Sequence, residues 1–170
     1  MSWSEPTRRG LIALAGAGLV SGCLRPMLAA DGDAASLRGR IALPEIDGRT
    51  GYYMTRRLAD RLGKAESAEF RLEVDLTLSE RDFAIAQDSS VTRRTVTAVG
   101  RWRLLPVDGG DPIITGQEVA ESGYNESSAL YATRVTARDI ERRVTEAVAD
   151  AIARTVLARA RTVTDAAAAS

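Results

Sequence analysis

The stretch Arg8–Cys23 most constrains the chain, because it decides which residues are left to fold. Two arginines, Arg8 and Arg9, precede an apolar run, and small residues then lead to a cysteine. This order of basic, apolar and small residues is typical of a secretory signal peptide. The run from Gly10 to Leu24 is shorter than the ~20 apolar residues that a membrane-spanning helix needs. We therefore predict that residues 1–22 form a cleaved signal peptide and that the folded domain lies downstream.

The last four residues of this stretch are Val20, Ser21, Gly22 and Cys23, and they resemble a bacterial lipobox. In a lipobox the cysteine is acylated and becomes the first residue of the mature chain. The motif predicts lipidation at Cys23 and an anchored bacterial lipoprotein; two or more acyl chains would hold it firmly, since each buried methylene contributes about 0.8 kcal/mol. The alternative is an uncleaved apolar helix with an incidental cysteine. The arginine pair is compatible with twin-arginine export, although ordinary Sec export is favoured.

Composition excludes several classes of function. Of the 170 residues, 148 remain after removal of the first 22, which suits a single domain. Lys plus Arg and Asp plus Glu each number 23, and this balance argues against a general nucleic-acid-binding protein, which would be strongly basic. The chain has no histidine and one cysteine, which removes His-based catalysis, His metal sites and internal disulfides. We expect no catalytic residue, no metal and no cofactor.

The N-terminal part of the mature chain predicts a tether, a strand and a helix. Residues 23–36 are small, polar and rich in Ala and Gly, as expected for a lipidated N-terminus and flexible tether. The domain itself is predicted over residues 37–161, beginning with a short strand at Leu37–Leu43 that Pro44 ends. An amphipathic helix follows, with Thr50 as a candidate N-cap and Gly63 as its stop.

Three strands then follow in antiparallel order. Phe70–Ser79 alternates apolar and polar residues strictly, and a change of parity after it predicts a bulge at Glu80–Asp82. Glu73 and Asp75 fall on the wet face and are predicted to be surface charges. The first of the three strands is predicted at 70–79. A turn at Gln87–Ser90 leads to the second strand, predicted at 91–105. An Asp-Gly turn at 107–112 then leads to an edge strand at 113–124.

The C-terminal part predicts a polar loop that carries Tyr131 and then a long helix. Thr136 and Asp139 resemble a capping box, and an apolar stripe continues to about Ala160. Residues 162–170 are expected to be a disordered tail. The element order β-α-β-β-β-α predicts an α+β, two-layer sandwich with two helices on one face of a four-stranded mixed sheet. Its first strand returns parallel to a neighbour through the helix.

The whole mature chain resembles the LPS-assembly lipoproteins of the LptE family, in an alphaproteobacterial-type form. The order and spacing of several segments carry this resemblance rather than any sharp motif: the lipobox, Arg25-Pro26, residues 55–62, residues 70–74, Ser122-Gly123-Tyr124, Tyr131-Ala132 and the last helix. The chain departs from the family at Leu24, where relatives often have Gly and an aromatic residue after the cysteine.

The resemblance implies a non-enzymatic outer-membrane lipoprotein on the periplasmic side. Such a protein plugs the LPS-translocating β-barrel, LptD, supports its assembly and assists LPS insertion into the outer leaflet. LPS contact requires cations, and Arg93 and Arg94 are the best local pair, because guanidinium forks match phosphate. On neighbouring strand positions the two side chains should face opposite sides, so solvated or barrel-facing arginines are the alternative. Tyr131 is a further candidate for barrel contact.

Two other interpretations remain open at this point. One is an accessory periplasmic lipoprotein of a lipid-transport ABC system or of cell-wall synthesis, which would share the anchor and the α+β character. The other is a periplasmic enzyme, and a hydrolase based on two carboxylates is its surviving form, since the chain lacks histidine and a G-x-S-x-G motif.

The lipobox makes a direct prediction about Cys23. Intact-mass analysis of membrane-extracted protein should show a mature chain that begins at Cys23 and carries acyl groups. An unmodified thiol at this position would contradict the predicted anchor.

Overall fold

The structure is a computed structural model that describes residues 32–83, 93–125 and 129–168. It contains four helices and four strands in these ranges. The helices are α1 (Asp33–Leu37), α2 (Gly48–Leu62), α3 (Leu130–Ala158) and α4 (Ala160–Ala168), and the strands are β1 (Ile41–Ala42), β2 (Phe70–Phe83), β3 (Arg93–Pro106) and β4 (Ile114–Asn125). Cys23, the signal peptide and the predicted turn at Gln87–Ser90 lie outside the described residues.

The four strands form one mixed sheet in the order β1-β2-β3-β4. β1 pairs in parallel with β2, after the chain has passed through α2, and the other neighbours are antiparallel. This confirms the predicted α+β class, the parallel return of the first strand and the edge position of β4. The Asp-Gly turn is confirmed as well, because Gly109 and Gly110 take positive φ angles between β3 and β4.

The core lies between one face of the sheet and the helices. The predicted apolar face of β3 is buried, and so is the predicted stripe of α3: Val96, Ala98, Gly100, Trp102 and Leu104 on β3, and Ile140, Val144, Val148, Ile152 and Val156 on α3. Helix α2 adds Met54, Leu58 and Leu62, which recur at four-residue spacing and are fully buried in the same cluster. The opposite face of the sheet carries the polar residues of the alternation, as predicted.

Two glycines allow close approach within this core. A side chain at Gly100 would place a Cβ 2.7 Å from Val148 Cγ1, so α3 can lie close to β3 only because Gly100 has none. At Gly51 a Cβ would lie 2.0 Å from the carbonyl oxygen of Ile46, which lets the chain before α2 fold tightly onto the helix. At both positions the close packing depends on the absence of a side chain.

The predicted bulge at Glu80–Asp82 is wrong. β2 pairs with β3 one residue to one over its whole length, from Phe70 opposite Pro106 to Phe83 opposite Arg93. The change of apolar parity therefore marks no change in pairing. Glu80 and Asp82 stay on the helix-side face, where Tyr124 and Arg94 are their polar partners.

Several element boundaries also differ from the prediction. Leu37 belongs to α1 and not to the first strand, and α2 begins at Gly48, so Thr50 is not its N-cap. Helix α3 begins at Leu130, six residues before the predicted start, and Thr136 lies inside it, where its hydroxyl donates to the Ala132 carbonyl at 2.9 Å. The capping-box interpretation of Thr136 and Asp139 is therefore wrong.

Both ends of the domain contain helix where the sequence predicts flexible chain. Ala34 and Leu37 of α1 are buried, and Ala160 and Val163 of α4 are buried too, because α1 and α4 pack against each other. Neither segment is long enough to form a stable helix alone. The tether expected over residues 23–36 is thus helical from Asp33, and most of the expected tail is helical to Ala168.

The close contact at Gly100 makes a prediction about stability. Gly100→Ala should lower the free energy of unfolding by about 1–3 kcal/mol, because the new methyl group overpacks the core against Val148. Denaturant unfolding of the two single variants and of Gly100→Ala/Val148→Ala measures the effect. The double variant should lose less stability than the two singles combined, since shortening Val148 makes room for the methyl group; simple additivity would contradict the proposed contact.

Candidate functional site

The strands of the sheet run between two opposite ends of the domain. We call the end that carries Phe70 and Pro106 the proximal end, and the end that carries Phe83 and Arg93 the distal end. The 14 residues of β2 span roughly 45 Å between them. The chain enters at the proximal end, where α1 contacts α3 and α4, and α3 begins at the distal end, a few residues after Asn125.

All three described candidate residues lie at the distal end. Arg93 pairs with Asn125 across the sheet and Arg94 with Tyr124, and Tyr131 lies in the first turn of α3. The structure therefore brings Arg93, Arg94 and Tyr131 to one end of the domain. The sequence suggests only that the first two are near a turn.

Arg93 and Arg94 lie on opposite faces of the sheet, as their neighbouring strand positions predict. Arg93 is exposed, on the face that the helices leave open. Arg94 is half-buried on the helix side, where its guanidinium lies 3.1 Å from Asp82 Oδ1 and 3.7 Å from Glu80 Oε1. The charge of Arg94 is largely balanced within the domain, so Arg93 is the more accessible cation of the pair.

Tyr124 completes the group around Arg94. Its hydroxyl donates a 2.5 Å hydrogen bond to Glu80 Oε1, and the ring is buried. Burial raises the pKa of the Tyr124 hydroxyl, and the hydrogen bond to the Glu80 carboxylate raises it further. The phenol therefore remains a neutral donor that links β4 to β2 at the distal end.

Tyr131 belongs to an exposed apolar group on the first turns of α3. It is 82% exposed, Leu130 is 69% exposed and Val135 is 49% exposed, whereas the first buried residue of the helix is Ile140. These turns thus extend past the core, and Tyr131 lies on a helix rather than in the predicted loop. Single exposed apolar residues are common on protein surfaces, but a group of three large ones is unusual.

A second charged group, which the sequence does not predict, joins α2 to α3 away from the distal end. Asp150 accepts hydrogen bonds from both Arg57 and Arg61: the Nε atoms of the two arginines each lie 2.8 Å from Oδ1, and their Nη2 atoms lie 2.9 and 3.3 Å from Oδ2. The spacing of Arg57 and Arg61 at i and i+4 is visible in the sequence. Their common partner is not, because Asp150 is 89 residues beyond Arg61.

The two arginines strongly lower the pKa of the Asp150 carboxyl, with the hydrogen bond from Arg57 as the largest cause. Its side chain is 18% exposed, so solvent screens the interaction only in part. Because the pKa in the folded state lies below the unfolded value of about 3.9, the paired carboxylate stabilises the fold above that pH. The contribution is lost as the pH falls toward the folded pKa.

The other sequence-predicted acids are surface charges, as expected. Glu73 lies between two guanidiniums on the open face of the sheet, 2.5 Å from Arg103 Nε and 3.2 Å from Arg71 Nε, and Asp75 is exposed. Within the described ranges no group of three or more His, Cys, Asp or Glu side chains could hold a metal ion. No helix in these same ranges is long and apolar enough to cross a membrane.

Comparison with known proteins finds similarity in structure but not in sequence. No family model matches the chain, and no curated protein sequence does. A candidate lipoprotein from Caulobacter crescentus CB15 is similar with a TM-score of 0.61 at 20% identity, covering 74% of this chain and 93% of that one. A minor lipoprotein from Acinetobacter baumannii has a TM-score of 0.50 at 13% identity, covering 70% and 91%.

Rare lipoprotein B from Shewanella oneidensis is more distant, with a TM-score of 0.45 at 11% identity over 74% of this chain and 94% of that one. That score is too low to establish a shared fold. The first two similarities show that this chain shares its fold with the Caulobacter and Acinetobacter proteins over nearly their full length.

The Asp150 group makes a prediction about acid stability. Asp150→Asn should lower the free energy of unfolding at pH 7 by roughly 1–3 kcal/mol, because two guanidiniums lose their charged acceptor. The wild type should lose this advantage as the pH falls below about 4, so the two curves converge in acid. Denaturant unfolding between pH 7 and pH 2 measures both effects.

Asp75→Asn is the matched control, since Asp75 is exposed on the open face of the sheet and its side chain forms none of the ion pairs found among the described residues. It should change stability little at any pH. A constant gap between wild type and Asp150→Asn down to pH 2 would contradict the assigned role of Asp150.

Proposed function

We propose that the protein is a lipid-anchored outer-membrane lipoprotein that works on the periplasmic side in the manner of the LptE family. The observation that carries this proposal is the combination of a lipobox ending at Cys23 with a fold shared by proteins described as lipoproteins. Neither part would suffice alone, because a fold serves many functions. Together they connect the N-terminal signal and the domain through the same class of protein.

The proposed role is to plug and support the assembly of the LPS-translocating β-barrel, LptD, and to assist LPS insertion. Two features of the domain support it. The domain is compact and its sheet has an open polar face, which suits contact with the polar lumen of a barrel. The distal end adds an exposed apolar group, Leu130, Tyr131 and Val135, and apolar and aromatic side chains are enriched at the cores of protein interfaces.

The two ends of the domain give the proposal a direction. A lipid anchor at Cys23 joins the proximal end, so the distal end points away from the attachment and is the part that enters the barrel. The anchor also keeps the domain at a high effective concentration near a membrane-embedded partner. Direct LPS contact in this arrangement would use Arg93, which is exposed, rather than Arg94, which faces Asp82.

In-cell crosslinking tests the partner. A photoreactive residue in place of Tyr131 should capture LptD, because the side chain is almost fully exposed at the distal end. The same residue in place of Asp108, on the exposed turn between β3 and β4 at the proximal end, is the matched control and should capture it much less. Capture of an inner-membrane ATPase complex from Tyr131 would instead support an accessory subunit of a lipid-transport system.

Crosslinking at Arg94 offers a further comparison. The residue is at the same end but half-buried on the helix side of the sheet. It should therefore react with the barrel less than Tyr131 does. Equal capture from Tyr131, Arg94 and Asp108 would contradict the proposed direction of the domain.

A further inference from the structure

A small recess opens between α2 and α3 at the proximal end, beside the residue that follows α1. Its volume is about 200 Å³. Charged side chains surround an apolar floor, and the lining consists of Arg38, Asp60, Arg61, Asp150, Ala153, Arg154 and Leu157. We call this group the arginine recess.

The arginine recess carries an excess of positive charge. Asp150 is already bonded through both oxygens to Arg57 and Arg61, so two guanidiniums share one carboxylate. The lining holds three arginines against two aspartates, a net charge of +1 in a chain whose formal net charge is zero. The excess is local and is not a property of the whole surface.

Two of these cations have no partner within the described part of the chain. The side chains of Arg38 and Arg154 are exposed and take part in none of the ion pairs or hydrogen bonds found there. Arg61 binds Asp150 through Nε and Nη2, which leaves the N–H groups of its third nitrogen without an assigned acceptor. Three guanidiniums from α2, α3 and the end of α1 thus converge on one recess.

The position of the recess suggests what anion it meets. Arg38 directly follows α1, and Gly32, where the described chain begins, is nine residues after Cys23. Nine residues reach at most about 30 Å, so an acylated Cys23 would hold this end of the domain close to a bilayer surface. Arginine forks match phosphate oxygens, and the buried Ala153 and Leu157 offer an apolar surface beneath them.

We propose that the arginine recess binds the phosphate of an anionic phospholipid headgroup, such as that of phosphatidylglycerol. Arg38 and Arg154 bind the phosphate oxygens, and Arg61, held in place by Asp150, adds a third cation. The contact lays the α2–α3 side of the proximal end on the membrane and so sets the tilt of the domain. The inference rests on the proposed function only for the nearness of the bilayer.

Titration with a water-soluble lipid tests the site without the need for a membrane. Dihexanoyl phosphatidylglycerol, below its micelle concentration, is added to the full-length chain in a neutral detergent, and the arginine Nε–H signals are followed by NMR. The signals of Arg38, Arg61 and Arg154 should shift saturably. Dihexanoyl phosphatidylcholine, whose headgroup has no net charge, should bind at least roughly tenfold more weakly.

Two double variants separate the recess from a general charge effect. Arg38→Gln/Arg154→Gln should weaken phosphatidylglycerol binding at least roughly tenfold. Arg134→Gln/Arg138→Gln removes the same charge from exposed arginines on the first turns of α3 and should leave the affinity unchanged. Thermal unfolding of both variants checks that each remains folded.

Three results would overturn the inference. They are equal binding of the two lipids, equal weakening by the two double variants, and inorganic phosphate that binds as tightly as phosphatidylglycerol, which would indicate a free phosphate as the ligand. The titration involves neither the barrel protein nor acylation of Cys23. Its failure is therefore distinguishable from a failure of the crosslinking experiment, which tests the proposed function.

Discussion

The contact between α3 and the inner face of β3 holds the two layers together. The buried stripe of α3 recurs at four-residue spacing, and the sheet presents a row of inward side chains that is interrupted at Gly100. That gap lets Val148 approach the backbone of β3. Because van der Waals attraction depends on close approach, the missing side chain allows more contact than an added methyl group would.

Helix α3 also organises the surface, because it is as long as the sheet that it covers. Its 29 residues span about 43 Å, close to the length of β2. Its first turns extend past the core and expose Leu130, Tyr131 and Val135, and its second half carries Asp150 and Arg154. One helix therefore contributes to both charged and apolar surfaces, at opposite ends of the domain.

These two ends give the fold a polarity that suits an anchored protein. The chain enters at the proximal end, where α1 and α4 pack together, and the distal end carries the accessible Arg93 and Tyr131. Under the proposed function the proximal end faces the bilayer and the distal end faces the barrel. The pair of guanidiniums on Asp150 fixes α2 against α3 toward the proximal end.

Local pattern determined much of the fold. The strict alternation of Phe70–Ser79, the Asp-Gly turn and the four-residue spacing of the last helix each depend on neighbours in sequence, and each is predicted correctly. The absence of histidine likewise excludes whole classes of chemistry on composition alone. The candidate residues Arg93 and Arg94 are assigned to opposite faces for the same reason, since strand periodicity decides it.

Only the tertiary structure decided what depends on residues that are distant in the chain. α1 and α4 are too short to be stable alone and form because they bury Leu37 and Val163. The local sequence of each helix does not predict this burial. The parity change after Ser79 predicts a bulge, although β2 stays paired with β3 there and Glu80 and Asp82 meet Tyr124 and Arg94. Asp150 meets Arg57 and Arg61 across a separation of about 90 residues. Periodicity within a segment reports which face is buried, but it carries no information about which partner buries it or which charge lies opposite.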